Sequence, residues 1–430
     1  MLELGDTMVD KEQALAAHER AKGKIEMIPK VGVSTNEELT TYYTPGVAYV
    51  AEAIKNDKSS VVRYTSKANT IAVVSDGTRI LGLGNVGPEA GLPVMETKAL
   101  FYKKYAGIDA VPLCIDTTDE ADIVKFVKNI APTFGGINIE DIESPKCFRV
   151  VDALSNALAI PVLHDDQHGT SVVTIAALIN ALKLAGKNIA SSKIVINGAG
   201  SAGLGFVRML AYMKIRDVYV VDKAGAIYDG RQEHMNEFKD EIARFTNPSK
   251  RSGSLADMVE KADVLIGASS AGAFTKDMIA KMAEKPIVFA LANPVPEISY
   301  TDAKEAGAFI AATGSSTAPN QINNILGFPA LMRGLLDAGA VRVTYDVLYA
   351  AAKALARSAG RKIGQERILP DATNRREMVK SVSDVAVAVS QAAIASGSAK
   401  NSVTQEEQRV SLAAKLKRYA KIEGRVVGKV

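Results

Sequence analysis

Over the first 155 residues, short apolar runs alternate with amphipathic ones: "TIAVVSDG", "LPVMETKALFYKKYAGI", "AVPLCID", "EADIVKFVKNIA" and "GGINIED". Apolar runs of strand length between segments of helical period predict an α/β unit with a largely parallel sheet. Asp116, Glu140 and Asp141 then fall at strand ends, where such sheets gather ligands.

After "PVLHDD" comes "GTSVVTIAALINALKLAGKN", whose long apolar face and Gly186 near its end predict a helix leading into a second unit. A second βα series follows, with "SKIVINGAG", "AGLGFVRMLAYM", "VYVVDKAG", "ADVLIGASS", "PIVFALANP" and "AGAFIAATG". From about residue 328 apolar positions recur at helical spacing, as in "PALMRGLLDAGA" and "TYDVLYAAAKALARSAG". The division this predicts is a first α/β unit over 1–155, a second over 156–395 and a helical tail over 396–430. The later helices pack back on the two units or form a subunit contact.

Composition narrows the function classes. With 430 residues, 47% of them hydrophobic, the chain has enough for two or three packed domains. A net charge of +4, from 52 basic and 48 acidic side chains, is too balanced for a polyanion binder. The basic end "AAKLKRYAKIEGRVVGKV" reads as a solvated helix, with no nucleic-acid role. Cys114 and Cys147 stand far apart, a spacing that suggests neither a disulfide framework nor a zinc site. The start "MLELGDTMVDKEQ" lacks a leader pattern, and no uninterrupted apolar stretch is long enough to span a bilayer, so a cytoplasmic address with no membrane partner is expected.

The chemistry begins with "KIVINGAGSAGLG", an apolar strand running into Gly198, Gly200 and Gly203. The first glycine permits a tight turn, the second lets backbone approach a pyrophosphate, and the third lets the helix close on the strand. The amides of Ser201 and Ala202 then point at the anion from a helix start. "VYVVDK" ends in Asp222, at about the ~20-residue offset of an adenosine-ribose acceptor, which leans the cofactor toward NAD. Lys223 and Lys239 offer a 2′-phosphate a partner, so NADP stays open.

Two acidic dyads lie at strand ends, Glu140 with Asp141, and Asp165 with Asp166 in "VLHDDQHGT". Hard oxygen donors so placed suit Mg²⁺ or Mn²⁺. A helix cap and solvated loop acids are the plainer alternative, and two corresponding dyads favour the metal. In "TTYYTPGVAYVAEAIKN", Thr44 is read as N-cap and Pro45 as first helical residue, which places Tyr43 where a phenol can act as an acid or simply pack. Lys98 sits on an apolar helical face, either snorkelling or desolvated, its pKa lowered enough to serve as a base.

Taken in order, "YYTPGVA", "DGTRILGLGNVG", "GLPVMETKALFYKKYAGID", "NIEDIESPKCF", "VLHDDQHGT", "FALANP" and "NQINNILGFPA" resemble the motif blocks of malic enzymes of the short bacterial and archaeal type. The resemblance implies an N-terminal malic domain, a Rossmann-type NAD(P)-binding domain and C-terminal helices. It also implies metal-dependent oxidative decarboxylation of L-malate to pyruvate and CO₂. Carried over by block, Tyr43 is the general acid, Lys98 the general base and Arg79 a carboxylate clamp. Glu140, Asp141 and Asp166 are the metal ligands, with Asp165 assisting proton transfer. Asn293 and Asn324 hold malate and the nicotinamide side of the site. The short forms imply a homodimer, in which Tyr43 can serve a partner's site. His164 and His168, in "LHDDQHG", depart from the long eukaryotic pattern and read as supporting or capping groups. A malolactic-type decarboxylase and a non-catalytic NAD-responsive regulator remain the alternatives.

Overall fold

The computed structural model describes residues 11–315 and 318–426. Residues 1–10, where no leader was read, and the last four of the basic tail lie outside the described residues.

The first unit is built on four parallel strands, β1 (Thr70–Ser75), β2 (Asp109–Cys114), β3 (Gly136–Ile139) and β4 (Val162–His164), in the order β2-β1-β3-β4. β1 and β3 are buried along their whole length, as apolar strands covered on both faces must be. The chain leaves β1 toward β2 and crosses back to β3, so the crevice beyond the carboxyl ends of β1 and β3 is the switch point where ligands collect. A boundary at 155/156 is corrected here: β4 pairs with β3, and the first sheet runs on to His164.

The second sheet has the order β10-β9-β8-β5-β6-β7, with β5 (Ile194–Asn197), β6 (Val218–Asp222), β7 (Gly225–Ala226), β8 (Val264–Gly267), β9 (Ile287–Ala290) and β10 (Ile310–Thr313). Only β7 runs antiparallel to its neighbour, as a hairpin return at the edge. Its switch point lies between β5 and β8, where the glycine loop opens.

The two units are joined by helices. The predicted helix is Thr170–Ala185, preceded by one wide turn, Asp165–Gly169, of π geometry. It packs on helices Ser201–Tyr212 and Tyr345–Ser358. Gly205 lets helix Ser201–Tyr212 close on the wide turn and the helix start: a Cβ there would lie 2.7 Å from the Gln167 carbonyl oxygen and 3.0 Å from Ser171 Oγ. Helix Phe328–Asp337 returns to the first unit and packs on helix Pro88–Ala106.

The tail is not a solvated helix. Helix Gln405–Val426 packs on Pro88–Ala106 and Arg375–Ala395, with Gln408 and Leu412 buried, and Gly107 admits Lys415 at a distance no Cβ could accept. Asp165–Ala185 and Arg375–Ala395 are each long and apolar enough to cross a membrane, but 72% of the most apolar 18-residue stretch of the first is buried inside the protein, which marks a core helix.

Candidate active site

At the switch point of the first sheet, β3 delivers Glu140 and Asp141, and β4 with its wide turn delivers Asp165 and Asp166. Carboxylate oxygens of Glu140, Asp141 and Asp166 all lie within 4.8 Å of one another. Asp141 takes a left-handed conformation, φ 50°, and its N–H donates to Asp166 Oδ2 at 3.3 Å. Lys98, from the middle of helix Pro88–Ala106, reaches down onto this group. Its Nζ lies 2.9 Å from Glu140 Oε1 and contacts Asp165 Oδ2, with the Phe328 ring 4.2 Å away on its other side.

The expectation that burial lowers the Lys98 pKa is reversed. Burial does work against the ammonium, but Asp165 and then Glu140 outweigh it and raise the pKa above that of an ordinary lysine. The acids respond in the other direction. Burial, with the neighbouring carboxylates, pushes Asp141 up to about 8 and holds Glu140 well above the carboxylate range. Asp165 and Asp166 are raised as well, chiefly by burial. Four acids crowd around one lysine, so the ionised cluster is short of positive charge. All-oxygen donors, the burial of Glu140 and Asp141 beside a half-buried Asp166, and that deficit fit a hard divalent cation held by these three acids.

Asp165 serves a different purpose. It is fully buried, its Oδ2 is shared between Lys98 and the Asn324 amide, and its Oδ1 has no partner among the described residues. The side chain fits only because residue 169 is glycine: a Cβ there would sit 1.9 Å from Asp165 Oδ1.

Arg79 is tied to the cluster through its backbone, its N–H donating to the Asp141 carbonyl at 3.0 Å, while its guanidinium bonds the Leu81 carbonyl. Its loop abuts the second unit, where a Cβ on Gly82 would lie 2.8 Å from Pro294 Cδ. Asn293 is therefore brought to the opposite wall, exposed, beside Gly314.

Tyr43 is not brought to the cluster within one chain: it is 66% exposed. Thr44 is no N-cap and Pro45 is not the first helical residue. Helix Asn36–Tyr42 ends at Tyr43, and the next helix starts at Gly46, where a Cβ would lie 2.1 Å from the Thr41 carbonyl oxygen. The segment is a tight helix–helix corner, which the proline signal alone did not reveal.

The glycine loop behaves as its spacing predicts. Gly198 has φ 115° and no room for a Cβ, which would lie 2.3 Å from the Ala268 carbonyl oxygen; Gly203 would strike the Gly198 carbonyl oxygen at 1.9 Å; Gly200 faces open space. Ser201 and Ala202 open helix Ser201–Tyr212, and Ser201 Oγ lies 3.2 Å from Cys147 Sγ. Gly200→Ala should therefore leave the unfolding free energy within about 0.5 kcal/mol of wild type and weaken nucleotide binding, whereas Gly203→Ala should cost about 1–3 kcal/mol. Chemical denaturation and nucleotide fluorescence titration check both.

Asp222 ends β6 but is not a free ribose acceptor. Arg231 grips it bidentately at 2.8 and 2.6 Å, Lys239 Nζ lies at 2.6 Å and the Ala224 N–H at 2.9 Å. Burial alone would raise its pKa, but these partners hold it at about 2. The lean toward NAD rested on the position of Asp222, and these partners leave NAD and NADP both open. Lys223 is exposed, and Lys239 is the lysine at the acid.

Some supporting residues escaped the sequence reading. Tyr102 donates to Asn138 Oδ1 at 3.1 Å, and the Asn138 amide donates to Glu140 Oε2 at 2.7 Å, which orients that carboxylate. A polar residue inside the otherwise apolar "GINI" strand was the available signal. Buried Glu297 accepts the N–H groups of Ser269 and Ala292, joining the loops after β8 and β9. Nothing local marked it.

Residues 167–394 match the family model "Malic enzyme, NAD binding domain" and residues 22–125 match "Malic enzyme, N-terminal domain". The chain is 46% identical over 398 residues to the bifunctional malic/malolactic enzyme of Bacillus subtilis, covering 92% of this chain and 96% of that one. It is 45% identical over 379 residues to the NAD-dependent malic enzyme of Geobacillus stearothermophilus, covering 88% and 78%. Among solved structures, the malic enzyme of Pyrococcus horikoshii superposes with a TM-score of 0.91 at 42% identity, over 96% of this chain and 99% of that one. The NAD-dependent malic enzyme of Thermotoga maritima gives 0.84 at 46%, over 89% and 99%.

Proposed function

The chain belongs to the malic enzyme family, and on that premise we propose that it oxidatively decarboxylates L-malate to pyruvate and CO₂ with NAD or NADP, as a cytoplasmic homodimer. The observation that carries the reading is Lys98 held by Asp165 and Glu140 beside the carboxylate trio, at the switch point of the first sheet.

Glu140, Asp141 and Asp166 would hold Mg²⁺ or Mn²⁺, whose charge, when bound, polarises the C2 oxygen of malate and favours loss of the carboxylate β to the ketone. The chain's own groups do the rest. A bound divalent cation would offset the carboxylates that raise the Lys98 pKa in the metal-free cluster, and Lys98 then gives a proton to Asp165, which it contacts. The freed amine takes the C2 hydroxyl proton as hydride leaves C2 for the nicotinamide. Asn324, bonded to Asp165, and Asn293 on the opposite wall align substrate and nicotinamide, and Arg79 clamps a carboxylate. After CO₂ departs, Tyr43 protonates C3.

Tyr43 fits this role from a partner subunit. None of the residues in helices Lys11–Ala21, Asn36–Tyr42 and Gly46–Asn56 is buried. Large apolar side chains there and nearby stand in the open, Met27 at 90% and Tyr49 at 67% exposure. So much apolar surface on one arm suits burial against a second copy. Asp222 with Arg231 and Lys239 carries a net positive charge that tolerates either adenosine ribose or its 2′-phosphate.

Purified protein with L-malate, Mn²⁺ and either nucleotide should reduce the nucleotide and form pyruvate, and EDTA should abolish both. The bifunctional Bacillus subtilis relative favours a second reading, malolactic turnover. Lactate formed from malate without accumulation of reduced nucleotide would select it; neither product would overturn both.

A further inference from the structure

His164 closes β4 two residues before Asp166, with its side chain fully buried. Among the described residues, neither ring nitrogen has a hydrogen-bond partner. A neutral imidazole carries one N–H, so the ring keeps a buried donor unspent, which native interiors rarely tolerate without a use for it. The His164 backbone N–H donates to His168 Nδ1 at 3.1 Å, which ties the end of β4 to the wide turn that carries Asp166. The ring faces Asp166, whose Oδ2 lies 3.8 Å from His164 Nε2. That is just beyond hydrogen-bond distance. Asp166 otherwise accepts one long bond, from the Asp141 N–H at 3.3 Å, and is the most exposed of the three acids.

We propose that His164 is a positioning residue for Asp166: its Nε2–H holds Oδ2 and so presents the carboxylate to a divalent cation shared with Glu140 and Asp141. An outer partner fixes the carboxylate in advance and spares the orientational entropy that a freely turning ligand loses on capturing the ion. The inference rests on the metal reading above. A ring kept only to fill space would be replaced by phenylalanine without loss.

The test is direct Mn²⁺ binding, read from the electron paramagnetic resonance signal of the free ion, with no malate and no nucleotide present. His164→Phe should bind Mn²⁺ about tenfold or more weakly than wild type, and His164→Gln, which keeps an N–H donor, should recover most of the loss. In EDTA the unfolding temperature of His164→Phe should be unchanged or higher, since two unpaired nitrogens are gone from the interior. Equal Mn²⁺ affinity in the phenylalanine variant and wild type overturns the proposal, as does a glutamine variant no better than phenylalanine. If His164→Phe does not fold, His164→Leu, smaller and equally without a donor, decides in its place. Wild-type protein that binds no Mn²⁺ is a separate result and removes the metal reading itself.

Discussion

Lys98→Ala should lower kcat for malate oxidation by about 10²–10⁴, the usual contribution of a positioned acid–base group, with a much smaller change in malate KM. It should also unsettle the metal-free fold. Lys98 is 11% exposed and is the cation between Glu140 and Asp165, which are 3% and 0% exposed. Removing one partner of a buried ion pair leaves the other charge uncompensated, at a cost of about 3–5 kcal/mol. Protonation of the stranded carboxylates relieves part of this, so the measured loss should be at the lower end. Mn²⁺ returns positive charge to the same cluster, and the deficit should shrink when unfolding is measured with Mn²⁺ instead of EDTA. An unchanged kcat would remove Lys98 from the chemistry. An undiminished stability in EDTA would refute the electrostatic account while leaving the catalytic one standing.

Tyr43→Phe should also lose about 10²–10⁴ in kcat for pyruvate formation, while reduction of added oxaloacetate, which does not need the phenol, persists. The more telling measurement mixes chains. If Tyr43 serves the partner's site, a dimer of one Tyr43→Phe chain and one Lys98→Ala chain has one site with both groups intact. Random reassociation makes half of the dimers mixed, with one competent site of two, so activity should return to about a quarter of wild type. If Tyr43 serves its own chain, no mixed dimer has a complete site and the mixture stays inactive. Mn²⁺ in the reassociation buffer keeps the Lys98→Ala chain folded.

How far the sequence alone carries can be judged residue by residue. Gly198, Gly200 and Gly203 were legible because each answers a local backbone demand: a positive φ, an open approach, a close packing. The strands were legible from their length and apolarity, and Glu140, Asp141, Asp165 and Asp166 because a parallel sheet gathers its strand ends at one edge. Even the meeting of the two dyads follows from local pattern plus topology.

Charge state and pairing were not legible. Asp222 read as a ribose acceptor with Lys239 near a 2′-phosphate; that Arg231, nine positions on, grips the carboxylate itself, and Lys239 with it, was not legible, because both reach it only after β7 and the following loop fold back. Lys98 read as a lysine depressed by burial, since periodicity reports which face of a helix it occupies and not that two carboxylates wait opposite that face. The basic tail looked solvated because its charged residues outnumber the few, such as Leu412, that dock it. Tyr43 marks the boundary of what one chain decides, singled out by the sequence yet left exposed at a corner between two helices. Local pattern therefore determined the elements, the loops and the inventory of chemistry in this protein. Tertiary structure alone decided which charges meet, because Coulomb energy and desolvation depend on separation in space, and crossovers between strands bring together residues tens to hundreds of positions apart.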